Sequence, residues 1–284
     1  MKKFLSLLLA LTLALSLAAC GTSNTPAASG SGSTSGDDAE PITLVVFAAA
    51  SMTETLTEIA ENYKTVAPNV TLSFNFDSSG KLLTQIEEGA LCDLFISAAP
   101  KQMNALDGSL KDDAEKNPNG QDMLLEGSRL NLLENKVTLA VPEGNPKGIE
   151  SFDQLADLLQ NGEVMLAIGN SDVPVGQYTQ KIFAFYGIDE AAITDKLTYG
   201  NNVKEVTTQV TEAAADCGII YATDAFSAGL TVVDSATAEM CGQVIYPAAV
   251  LKGEKEEAAR AFLAYLETDD AMTVFERVGF SAVY

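Results

Sequence analysis

The chain has 284 residues, with 39 acidic against 17 basic side chains and a formal charge of −22 at pH 7. An acidic surface of that size opposes nucleic acids and anionic membranes as partners. Histidine is absent, which removes Ser-His and Cys-His nucleophilic catalysis and the usual zinc sites together.

The chain opens Met-Lys-Lys, is largely apolar from Phe4 to Ala19, and reaches Cys20 through Leu17-Ala18-Ala19. Such a run is a secretory leader, too short to span a bilayer as a helix. Its Leu-Ala-Ala-Cys ending resembles the lipoprotein processing box, which implies a signal peptide over residues 1–19 and lipid on the sulfur of Cys20. An ordinary leader followed by an incidental cysteine is the alternative. Residues 20–40 are mostly Ser, Gly, Thr, Ala and Asp without a large apolar side chain, a flexible linker that cannot join a core. Losing Lys2 and Lys3 with the leader brings the remainder to about −24. An acyl chain on Cys20 would hold the protein to the cell membrane from outside the cytoplasm.

Globular sequence begins near Pro41. Residues 42–47 read as a buried strand, and Leu56, Ile59, Ala60, Tyr63 and Val66 share one face of a helix. Between them stand Ala48, Ala49, Ala50 and Ser51, small enough to let a ligand reach the unpaired N–H groups of the helix start, where the dipole favours an anion. Ser51-Met52-Thr53-Glu54 also fits the Ser-x-x-Glu capping box, so Ser51 has a purely structural reading as well. Residues 70–76 alternate as a half-buried strand and end in Asp77-Ser78-Ser79-Gly80. A short helix follows from Lys81, and residues 92–97 form another buried strand. This β-α-β-α-β order predicts a parallel sheet with right-handed crossovers.

Residues 101–131 are polar and read as a surface helix and loops. A strand at 137–141, a helix at 152–159, a strand at 164–168, a turn at 169–176, helices at 178–186 and 203–215 and a strand at 217–221 predict a second parallel-sheet lobe. A strand at 243–250 and two amphipathic helices, carrying Phe262, Leu263 and Leu266 and then Met272, Phe275 and Val278, are expected to return to the first lobe. The expected division is 41–131 with 226–284 for lobe 1 and 132–225 for lobe 2, with a ligand cleft between them. Beyond Cys20 the cysteines are Cys92, Cys217 and Cys241. Cys217 and Cys241 could pair in an oxidising compartment, or all three could be small core residues.

Four places repeat one design, a strand end, a small or polar turn and a helix start: Ala50-Ser51, Ser78-Ser79, Pro174-Val175 and Asn202-Val203. Asn202 fits a helix cap and Pro174 a first helical turn. Phe47-Ala48-Ala49-Ala50-Ser51-Met52-Thr53 resembles the opening motif of the periplasmic molybdate-binding proteins of ABC importers. Phe76-Asp77-Ser78-Ser79-Gly80-Lys81-Leu82 is similar to their second serine motif, and residues 89–98 to the Gly-Ala-x-x-Asp-Leu-Phe-Ile-Ser-Ala segment after it. Val173-Pro174-Val175-Gly176-Gln177-Tyr178, Asn202-Val203-Lys204, Gly218-Ile219-Ile220-Tyr221, Tyr246-Pro247 and Gly279-Phe280 match further motifs in order.

The resemblance implies an α/β, two-lobed type II periplasmic binding protein fold, each lobe a mostly parallel sheet flanked by helices. It implies a tetrahedral oxyanion, molybdate or tungstate, held between the lobes, with sulfate or phosphate as alternative ligands. Carried over by position, the donors are Ser51 and Ser79 through hydroxyl and amide, Val175 and Val203 through amide, and Tyr221 through its phenol. Molybdenum or tungsten would enter only as the oxyanion through these residues. No cofactor, catalytic residue or nucleic acid is expected, and the partner is an ABC permease that receives the ion from a monomer. Val175 stands where the family usually has alanine, and Asp77 places a carboxylate before the serine pair. A distant alternative is a serine hydrolase of the β-lactamase type, from Ser78-Ser79-Gly80-Lys81 as Ser-x-x-Lys, but its companion motifs are missing.

Overall fold

The computed structural model of the protein describes residues 40–283. The expected leader 1–19, the lipidation site Cys20 and the linker 20–40, apart from Glu40, lie outside the described residues.

The chain runs β1 (Ile42–Ala49), α1 (Thr53–Tyr63), β2 (Val70–Asp77), α2 (Ser79–Glu87), β3 (Leu94–Ile96), α3 (Pro100–Asn104) and β4 (Leu130–Asn135). It continues through β5 (Val137–Val141), α4 (Phe152–Gln160), β6 (Leu166–Gly169), α5 (Pro174–Tyr186), β7 (Leu197–Gly200), α6 (Val203–Thr211), β8 (Cys217–Tyr221), α7 (Ala222–Ala228) and β9 (Thr231–Ser235). The last part is α8 (Ala238–Cys241), β10 (Val244–Val250), α9 (Glu256–Leu266), α10 (Asp269–Arg277) and β11 (Ser281–Ala282). Two sheets result, ordered β11-β4-β10-β3-β1-β2 and β7-β6-β8-β5-β9. This is the expected α/β architecture of two helix-flanked lobes.

The sheets are mixed. β1 is parallel to β2 and β3, and β6 is parallel to β7 and β8, as helical crossovers require. β10 lies antiparallel between β3 and β4, and β5 antiparallel between β8 and β9. Each of these two strands enters its sheet from the other lobe, and so arrives from the opposite end. The strand pairing carries the first sheet to Asn135 and the second to Ser235. The expected changes of lobe after 131 and after 225 therefore fall inside β4 and α7. Only Lys136 separates β4 from β5, and with neither glycine nor proline there the sequence carries no turn signal at the crossing.

β1 shows how alternation builds two cores. Leu44, Val46 and Ala48 pack with Leu56 and Ile59 of α1 and Phe262 and Leu266 of α9. Phe47 faces the other way, toward Leu82 and Ile86 of α2, Phe95 and Met103. The polar stretch 101–131 supplies Leu106 and Leu124 to that second cluster, and Arg129 holds Asp107 at 2.6 Å beside it. α6 stops at Thr211 instead of running to 215, and Ala213 just beyond takes a left-handed φ of 53°. Cys92, Cys217 and Cys241 are free thiols, which corrects the possible Cys217–Cys241 pair. Cys217 Sγ turns inside β8 toward the Met165 carbonyl, while Cys241 Sγ turns back on Thr237 and Gly242 of its own short helix. Burial pushes the Cys217 thiol up to about 12.

Candidate functional site

At the carboxyl end of β1 the backbone passes through a 3-10 turn, Ala50–Met52, into α1. β2 leads directly through Ser78 into α2, β6 through a short turn into α5, and β7 through Asn201 and Asn202 into α6. Val175 is the second residue of α5, and Ser79 and Val203 are the first residues of α2 and α6. N–H groups at such positions have no intrahelical acceptor. Tyr221 ends β8. The turns converge, so that Ser51, Ser79, Val175, Val203 and Tyr221 all line one pocket, with Ala49, Ala50, Asp77, Ser78, Ala98, Val173 and Pro174. The cavity between these residues is about 10 Å³, far below the 300–1,000 Å³ of drug-sized sites. A small ion suits it better than an organic molecule.

Every one of the five expected donors is buried, none more than 4% exposed. Ser79 Oγ accepts the Ala98 N–H at 2.9 Å. Ser51 Oγ lies 2.9 Å from the phenol of Tyr246, so the capping box read from Ser51 and Glu54 is not formed. α1 has Met52 before its first residue and no side-chain cap. The phenol oxygen of Tyr221 is buried without a hydrogen-bond partner among the described residues, an arrangement that calls for a polar occupant. Burial drives the phenols of Tyr221 and Tyr246 well above their ordinary range, so at neutral pH both keep their protons.

Asp77 brings a carboxylate to the lining, and its Oδ1 is turned to other partners. It accepts the Ser78 N–H at 2.7 Å, the Asn202 amide at 3.3 Å and Lys81 Nζ at 3.4 Å. Ser78 caps α2 by accepting the Lys81 N–H. In the Ser-x-x-Lys alternative the lysine amine would have to serve the serine; here it pairs with Asp77 instead.

Contacts across the cleft surround the pocket. Lys204, next to Val203, places Nζ 2.8 Å from Glu54 Oε2 on α1 and 3.2 Å from Asp224 Oδ1 on α7. Glu54 is thus an inter-lobe partner. Gly80 of α2 lies so close to the β6–α5 turn that a Cβ there would stand 2.2 Å from the Asp172 carbonyl oxygen. Gly176 likewise lets α5 approach β6, since a Cβ would meet the Asn170 carbonyl oxygen at 2.2 Å. Behind the pocket a hydrogen-bonded group that the motifs alone did not reveal joins Asn135, Thr223 and Tyr246 to Ser51. The available signal was a tyrosine and an asparagine placed in buried strands, where each needs a polar partner.

A family model described as bacterial extracellular solute-binding protein matches residues 44–281. The chain is 35% identical over 243 residues to the molybdate-binding protein ModA of Haemophilus influenzae, covering 84% of this chain and 90% of that one. It is 33% identical over 265 residues to ModA of Mycobacterium tuberculosis H37Rv, covering 93% and 92%. Among solved structures it is similar to the Azotobacter vinelandii periplasmic molybdate-binding protein, with a TM-score of 0.70 and 20% identity over 85% of this chain and 100% of that one.

Proposed function

The chain belongs to the bacterial extracellular solute-binding proteins, and from that premise we propose that it captures molybdate, or tungstate, outside the cytoplasm and delivers it to the permease of an ABC importer. The observation that carries this reading is the pocket itself. Ser51, Ser79, Val175, Val203 and Tyr221 meet around one small cavity, and its lining contains no cationic side chain.

A dianion can be held without a counter-charge if enough donors replace its water. Hydrogen bonds to a charged group contribute roughly 1.5 to 3 kcal/mol net each, and a helix start adds about 0.3 to 1 kcal/mol. Two hydroxyls, one phenol and the helix-start amides supply such a shell. The choice of molybdate over sulfate or phosphate rests on the likeness to relatives named for molybdate. The Leu-Ala-Ala-Cys ending of the leader supports attachment through lipid on Cys20, and Cys20→Ala should then move the protein from the membrane fraction into the surrounding fluid.

Calorimetric titration of the mature protein with molybdate, tungstate, sulfate and phosphate tests the reading. Tight binding of molybdate and tungstate with weak binding of the other two is expected. Tight sulfate or phosphate binding without molybdate would overturn the assignment.

A further inference from the structure

The two serine hydroxyls of the pocket share a feature: each has a buried hydrogen-bond partner behind it. For Ser79 the donor is the Ala98 N–H, 2.9 Å from Oγ. For Ser51 the neighbour is Tyr246 Oη at 2.9 Å, and distance alone leaves the direction of that bond open.

The surroundings settle it. Asn135 Oδ1 accepts the Lys136 N–H at 2.8 Å, which fixes the amide orientation. Both Asn135 Nδ2 hydrogens are then committed, one to Thr223 Oγ1 at 3.0 Å and one to Tyr246 Oη at 3.2 Å. Tyr246 therefore receives a hydrogen from Asn135 and has one of its own to place. Tyr246 is 0% exposed, Asn135 2% and Ser51 4%, and the acceptor Tyr246 meets is Ser51 Oγ. If Ser51 donated instead, the Tyr246 hydrogen would be left unpaired in a dry interior and a Ser51 lone pair would face the anion, both unfavourable. With the direction Asn135 to Tyr246 to Ser51, every hydrogen in the chain is used and the Ser51 hydrogen is left for the ligand.

We propose that Tyr246 and Asn135 are positioning residues that hold the Ser51 hydroxyl as a donor toward the pocket. The inference rests on the oxyanion reading of the pocket and adds which residues orient its Ser51 donor. Asn135 closes β4, one residue before the crossing into β5, and Thr223 follows β8, so the relay spans both lobes at the base of the cleft.

A double-mutant cycle read by calorimetry tests this, with molybdate as ligand and melting curves to confirm folding. Tyr246→Phe should weaken molybdate about tenfold in the wild-type background and less than twofold in a Ser51→Ala background. Asn135→Asp keeps an acceptor for Lys136 but takes the Tyr246 hydrogen for itself; its effect should likewise include a part that disappears with Ser51→Ala, whereas a general effect of added charge would persist. Equal losses in both backgrounds would overturn the relay. A wild-type protein that takes no tetrahedral oxyanion would overturn the functional reading, a result distinct from a failed cycle.

Discussion

At Ser51 one side chain had two readings in the sequence, helix cap and ligand donor, and its neighbours decide between them. The cap is not made, because Glu54 is drawn across the cleft to Lys204 and Ser51 Oγ is engaged with Tyr246. Ser79, wholly buried, is held in the same sense by the Ala98 amide. Each serine hydroxyl that contributes a charged hydrogen bond is worth roughly 1.5 to 3 kcal/mol. Ser51→Ala and Ser79→Ala should each lower molybdate affinity about 10- to 100-fold in calorimetry and also lower the melting temperature of the ligand-free protein, because the buried Tyr246 hydroxyl or Ala98 N–H loses its acceptor. Tyr221→Phe should cost less, since the phenol oxygen has no partner to orphan among the described residues; a loss as large as that of Ser79→Ala would mean the ring itself had moved. These residues were legible because they sit in contiguous motifs. Tyr246 and Asn135 were not legible as a pair, since 111 positions separate them and only the sheet brings them together.

At the scale of elements, the strand-to-helix turn is the repeated unit, and its helix starts carry N–H groups without an intrahelical acceptor. α6 does more than this. It brings Val203 to the pocket and, one residue on, sends Lys204 to Glu54 of the other lobe and to Asp224 of its own. Asp224 is fully buried, and desolvation, partly offset by Lys204, pushes its carboxyl from an ordinary 3.8 up to about 6. The folded protein therefore holds this proton more tightly than the unfolded chain does. That favourable contribution is complete below about pH 4 and is lost as pH rises toward 6, by an amount on the order of a few kcal/mol. Asp224→Asn cannot titrate, so its melting temperature relative to wild type should rise steadily between pH 4 and 6 and level off above. A constant difference across that range would show that Asp224 keeps its ordinary acidity. β4, β7, β9 and β11, with the short helices α7 and α8, were the elements the sequence hid. β7 has only four residues, β9 is an edge strand with no fully buried residue, and β4 runs into β5 with Lys136 alone between them.

For the molecule as a whole, Gly80 marks a close approach of the two lobes. Alanine suits a helix better than glycine, so Gly80→Ala should leave α2 and the first lobe intact or slightly more stable. A methyl group 2.2 Å from the Asp172 carbonyl oxygen is impossible without separating the lobes. Molybdate affinity should fall at least tenfold while the melting temperature of the ligand-free protein holds. An unaffected affinity would show that binding does not require this approach. Net charge acts on the same scale: at −22 for the chain, the overall field repels an incoming dianion. Association measured by stopped flow should accelerate as salt is raised from about 10 to 150 mM, because screening shortens from roughly 30 to 8 Å. A rate that falls with salt would point to a local positive field at the cleft mouth.

The sequence by itself determined the α/β class, the alternation of strand and helix, the strand-to-helix turns that line the pocket and the exclusion of histidine chemistry. All of these follow from local periodicity, from contiguous motifs or from residue types that are simply absent. Only the tertiary structure decided where the chain changes lobes, that the cysteines stay free, that Glu54 serves Lys204 and that Ser51 is backed by Tyr246 and Asn135. Those outcomes depend on residues tens to nearly two hundred positions apart meeting in a dry interior. There a hydrogen bond takes its direction from which neighbouring donors and acceptors are already used, and that is settled only once the sheets have formed.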